Sequence, residues 1–88
     1  MVSRNFKIVN RLGLHARAAA QLVKIANEFA AEVTLIKDGV EVNGKSIMGI
    51  LLLAAPQGTD LEVRIEGSDE EAAMAAVARL IEDGFGED

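Results

Sequence analysis

One histidine and no cysteine stand among the 88 residues of the chain, which narrows where its chemistry can sit. His15 lies in Gly13-Leu14-His15-Ala16-Arg17, at the start of a helical apolar pattern. A histidine at a helix N-terminus faces amide N–H groups without partners and the positive end of the helix dipole, a combination that attracts anions. The same dipole disfavours the protonated ring and so keeps a ring nitrogen lone pair free as a nucleophile. Phosphorus is the electrophile that suits this arrangement. Phosphoryl transfer needs in-line positioning and cancellation of charge on three equatorial oxygens, which Arg17 and the adjacent amides can supply. Gly13 would let the loop approach a donor closely. The plain alternative is a helix-capping or surface histidine with Arg17 a solvated charge, and spacing alone leaves both readings open.

A second constellation, Gly39-Val40-Glu41-Val42-Asn43-Gly44-Lys45-Ser46, matches the phosphate-loop pattern G-x-x-x-x-G-K-S letter for letter. A nucleotide-binding domain using Gly39 to Ser46 is therefore one rival function. A true phosphate loop curls its amides inward, whereas Val-Glu-Val favours an extended, alternating backbone. Such domains also need a larger parallel sheet and an acidic strand end for magnesium, which 88 residues do not visibly supply. A third reading is an interaction module of the same fold with a silent, unphosphorylated His15.

Composition removes other classes. Without cysteine, and with a single histidine, there is no thiolate or histidine-rich metal site, disulfide framework or cysteine nucleophile, and we expect neither metal nor cofactor. Three phenylalanines are the only aromatics and do not interleave with basic residues; with the net charge of -5 they argue against nucleic-acid recognition. The longest apolar run, Ile47 to Ala55, spans nine residues, well short of the ~18 that cross a bilayer. Polar and apolar residues alternate from Met1 to Lys7 and build no export signal, so a cytoplasmic protein is expected. Charge is graded. Residues 1–27 carry Arg4, Lys7, Arg11, Arg17 and Lys24 with no acid, while residues 60–88 carry ten acids against Arg64 and Arg79.

The elements that must hold these residues read off the periodicity. Phe6 and Ile8 alternate with polar neighbours, predicting a strand over about 4–9. Ala19, Leu22, Val23, Ala26 and Ala30 make a helical stripe starting after His15. Val33 to Lys37 and Val40 to Asn43 flank Asp38-Gly39, a type I′ hairpin signal. Ser46 is a natural N-cap for a short, partly buried helix from Ile47 to Leu53, with Ile50 and Leu53 assigned to the core. Leu61, Val63 and Ile65 alternate strictly, and Ser68-Asp69-Glu70-Glu71 reads as a capping box before a last helix that stops at Gly84. The order βαββαβα predicts one α+β domain over residues 1–88. It would be an open-faced sandwich, a four-stranded, mostly antiparallel sheet covered on one face by three helices.

Gly13-Leu14-His15-Ala16-Arg17, in a chain of this length and element order, resembles the active-site motif of HPr, the histidine-containing phosphocarrier family of the phosphoenolpyruvate-dependent phosphotransferase system. Lys45-Ser46-Ile47-Met48-Gly49 is similar to that family's regulatory serine segment, and Gln57-Gly58-Thr59 precedes the final strand as it does there. The resemblance implies a carrier, not an enzyme: His15 accepts phosphate on Nδ1 from enzyme I, with Arg17 assisting, and passes it to an enzyme II A-type domain. It also implies that Ser46 is the target of a dedicated HPr kinase/phosphorylase whose phosphate slows transfer. Ile47, Met48 and Leu51 would form a docking patch rimmed by Arg11, Arg17, Lys24 and Lys45; the alternative is that all three are core, and for Leu51 helical spacing alone does not separate the two readings. A monomer that docks briefly on each partner is expected. One departure from the family is Ala18, where a proline is usual.

Overall fold

The structure, a computed structural model, describes residues 1–87. Four strands, β1 (Val2–Lys7), β2 (Glu32–Lys37), β3 (Val40–Asn43) and β4 (Asp60–Glu66), form one sheet in the order β1-β4-β2-β3. Every neighbouring pair is antiparallel. Three helices, α1 (Ala16–Ala26), α2 (Ile47–Leu53) and α3 (Glu70–Glu82), complete the βαββαβα order, and a 3₁₀ turn spans Gly84–Gly86.

Period-2 alternation puts Phe6, Val33, Leu35, Leu61, Val63 and Ile65 on one sheet face, where they are buried against the helices. Polar partners ladder the other face: Ser3 donates to Glu62, and Arg64 lies against Glu62 and Glu41. Ala18, Ala19 and Ala26 are fully buried beside Leu22, small side chains that bring α1 close to its neighbours.

The hairpin forms as its dipeptide dictates, with Asp38 at φ 51 and Gly39 at φ 80 between the paired Lys37 and Val40. The phosphate-loop lookalike runs straight through it: Val40 to Asn43 is strand β3, paired to β2.

Three local expectations shift. Strand β1 begins at Val2, because its register against β4 pairs Val2 with Ile65; Ile8 lies past the assigned strand, although its amide still bonds Thr59 O at 2.9 Å. Helix α1 stops at Ala26, leaving Ala30 exposed outside it. The capping box is also displaced by one residue. Asp69 is the N-cap of α3 without capping it, since its carboxylate accepts the amides of Ala30 and Ala31, both at 2.9 Å. Glu70, not Glu71, reaches back to accept the Gly67 amide at 3.1 Å.

Candidate functional site

The loop before α1 is pinned from both sides. Asn10 is its one buried polar residue, and its Nδ2 donates to Gly13 O at 2.8 Å while its own carbonyl accepts the Gly13 amide at 3.1 Å. The next amide, Leu14, donates to Ala55 O at 2.9 Å. Gly13 sits at φ +66 against this neighbour, and a Cβ there would lie 2.5 Å from Ala55 O and 2.7 Å from Pro56 Cα. Its close approach is therefore to the 55–56 segment of its own chain. That contact fixes where His15 begins α1.

His15 is the N-cap of α1 by its extended backbone, and its carbonyl accepts the Ala19 amide at 2.8 Å. Its side chain makes no capping bond, so the ring is released from the role that a purely structural N-cap would have. Among the described residues, no backbone acceptor or capping side chain takes the amides of Ala16, Arg17 or Ala18. The ring keeps 24% of its side-chain surface open and borders a hollow of about 370 Å³ with Leu12, Leu14 and Ala54 to Pro56.

On its other side the ring meets the chain's far end. Nε2 of His15 contacts Oε2 of Glu87, whose second oxygen, Oε1, accepts from Asn10 Nδ2 at 3.0 Å. Hydrogen bonding from Asn10 holds the Glu87 carboxyl below the ordinary carboxylate range, helped by the bond to His15 and the charge of Arg17, and opposed by its partial burial. Phe85, buried at a positive φ of 58 between Gly84 and Gly86, anchors this segment in the core.

Arg17 is exposed and shares a cleft of about 380 Å³ with Arg11, Leu12, Gly86 and Glu87. Among the described residues no carboxylate lies within 4.0 Å of Arg11, Arg17 or Lys24. Lys45 differs. Its ammonium donates to Phe29 O at 2.9 Å and ties the β3–α2 connection to the α1–β2 connection. Arg4 and Lys7 also lie apart from the site, paired with Glu82 and Asp60.

Ser46 caps α2 through Oγ, which accepts the Gly49 amide at 3.0 Å. Ile50 and Leu53 are buried, whereas Met48 is 69% and Leu51 37% exposed and Ile47 is also open. Leu52, 78% exposed, and Leu12 extend the apolar surface beyond the three residues that the sequence pattern singled out. Asn10 and Glu87 were missed too. The available signals were an Asn-x-x-Gly loop and a phenylalanine bracketed by glycines, neither of which names a histidine as its destination. Among the described residues no cluster of three histidines or carboxylates is arranged to hold a metal ion.

A family model described as the PTS HPr component phosphorylation site matches residues 2–83. Phosphocarrier protein HPr of Xylella fastidiosa is 51% identical over 88 residues, covering 100% of this chain and 99% of that protein. The crystal structure of HPr-C-His from Thermoanaerobacter tengcongensis superposes with a TM-score of 0.97 at 44% identity, covering 100% of this chain and 99% of that one. A structure described as an HPr dimer from the same organism has a TM-score of 0.80 at 45% identity, covering 99% and 100%.

Proposed function

Because the chain belongs to the HPr family of phosphotransferase-system phosphocarriers, we propose that it accepts a phosphoryl group from phospho-enzyme I on His15 and passes it to an enzyme II A-type domain. The observation that carries this reading is an N-cap histidine whose side chain does no capping, standing partly open beside three amides without backbone partners.

In this reading the lone pair of His15 Nδ1 attacks phosphorus. The amides of Ala16 and Arg17 and the Arg17 guanidinium take up charge on the equatorial oxygens. The protein changes no substrate by itself, so residues 1–88 act as one carrier domain between two enzymes. Exposed Leu12, Ile47, Met48, Leu51 and Leu52 form the docking face, with Arg11, Arg17 and Lys24 as its basic rim and Lys45 held back by Phe29. A monomer keeps that face open. No described helix is long and apolar enough to cross a membrane, and the cytoplasm is where its proposed partners would meet it.

Phosphate on Ser46 would add about -1.5 to -2 charge at the edge of the docking face. It would satisfy the α2 N-terminus while repelling an acidic partner, which is how an HPr kinase/phosphorylase would slow transfer.

Incubation with phosphoenolpyruvate and enzyme I tests the carrier. Acid-labile phosphate should appear on the wild type and be lost in His15→Ala. An unlabelled wild type, or equal labelling of the variant, overturns the reading.

A further inference from the structure

We propose that Glu87 is a positioning residue for this transfer: its carboxylate accepts the Nε2–H of His15, fixes that tautomer, and leaves Nδ1 as the only ring nitrogen with a lone pair. The inference rests on the carrier reading for its consequence but on geometry for its substance.

The contact itself dictates the proton's place. Glu87 is held ionised at neutral pH, chiefly by its bond from Asn10. An ionised carboxylate only accepts, so the nitrogen facing Oε2 must carry the hydrogen. Asn10 then makes the clamp rigid. Its Nδ2 donates both to Glu87 Oε1 and to Gly13 O, joining the far end of the chain to the loop that sets His15. Glu87 is only 14% exposed at its side chain and follows the core-anchored Phe85, so the carboxylate is delivered by packed backbone. Its amide bonds Gly84 O at 3.0 Å.

In the transfer the Nδ1 lone pair forms the new N–P bond as the donor's bond to phosphorus breaks, and that electron pair leaves with the donor. No proton has to leave His15. The Nε2–H stays in place, and the positive charge gained by the phosphorylated ring lies against the Glu87 carboxylate. Donation to the next protein reverses these movements with the same proton still held.

The single histidine makes the test direct, because ring-¹⁵N-histidine labelling gives signals from His15 alone. At a pH where the ring is neutral, the wild type should show Nδ1 as a lone-pair nitrogen and Nε2 as an N–H nitrogen. In Glu87→Ala the two shifts should move toward each other as the other tautomer mixes in, and Glu87→Gln, with one acceptor oxygen left, should fall between. Enzyme I-dependent phosphorylation of both variants should turn over severalfold more slowly with little change in the half-saturating concentration. Ring signals identical in the wild type and both variants overturn the clamp. The ring spectrum needs no phosphate, so a wild type that fails to accept phosphate would overturn the carrier reading while leaving the clamp to be judged by its own signals.

Discussion

Gly13 and Gly39 both have positive φ, yet they carry different burdens, and a matched pair of substitutions separates them. Beside Gly39 nothing lies within 4 Å, so Gly39→Ala should cost only the left-handed backbone penalty of about 1 kcal/mol. Gly13→Ala adds a collision with the Ala55 and Pro56 backbone and should cost roughly twice that or more, a fall in Tm on the order of 10 °C. Thermal melts of the two variants check the ordering. Arg17 lines the cleft that holds Glu87 and, among the described residues, has no carboxylate within 4.0 Å, so its charge is available to phosphate. Arg17→Ala should lower kcat/KM for phosphoryl acceptance roughly tenfold to a hundredfold with Tm unchanged. Ala18 occupies the first turn of α1 with no backbone partner for its amide, so Ala18→Pro should preserve phosphate acceptance; loss of labelling in that variant would contradict the placement of the helix start. The placement of His15 and Arg17 at the start of α1 was legible because a helix start is written in neighbouring residues, whereas their role was read from the resemblance and not from spacing. Asn10 and Glu87 were not legible, since the bond between them joins positions 77 apart and no periodicity encodes it.

Helix ends account for most of what the pattern reading got right or misplaced. Ser46 caps α2 as its residue type predicts, because nothing competes for its hydroxyl. Asp69 looked equally like part of a cap, but two amides from the α1–β2 connection claim its carboxylate, a tertiary contact invisible to a four-residue motif. Those bonds, first from Ala30 and then from Ala31, hold the Asp69 carboxyl below its ordinary value, and the Gly67 amide does the same for Glu70. A folded-state value below the unfolded one means that the stabilisation is complete above the usual carboxylate range and is lost as pH falls through the lowered values. Tm should therefore hold steady from neutral pH to about 5 and decline below about 4. In Asp69→Asn, which retains only one acceptor oxygen, that acid decline should be shallower. At the other end of α2, Ala54 closes the helix in left-handed conformation at φ 55, with the Lys37 ammonium donating to Leu53 O and Ala54 O. Ala54→Gly should raise stability by about 0.5–1 kcal/mol, measurable by denaturant unfolding.

Across the whole molecule, Arg11, Arg17 and Lys24, which have no ion-pair partner among the described residues, belong to the N-terminal part of the chain with Leu12, while the acids gather in residues 60–88. Association with enzyme I should accordingly slow as salt rises from about 0.05 to 0.5 M, mainly in the on-rate, and a salt-independent rate would remove the steering argument. The class of the fold was legible from alternating and helical periods, but the strand order was not, because period-2 burial marks a strand's face and never its neighbour. Placing β4 between β1 and β2 has a consequence for how the chain is made. Strand β1 has no other partner in the sheet, so during synthesis it waits, unpaired, until residues 60–66 emerge. At ordinary elongation rates that interval is about 3–12 s. Throughout it the nascent chain presents an open strand edge and an unfinished His15 loop, so a chaperone that shields early-made strands should raise the yield of folded protein more than one that acts after release.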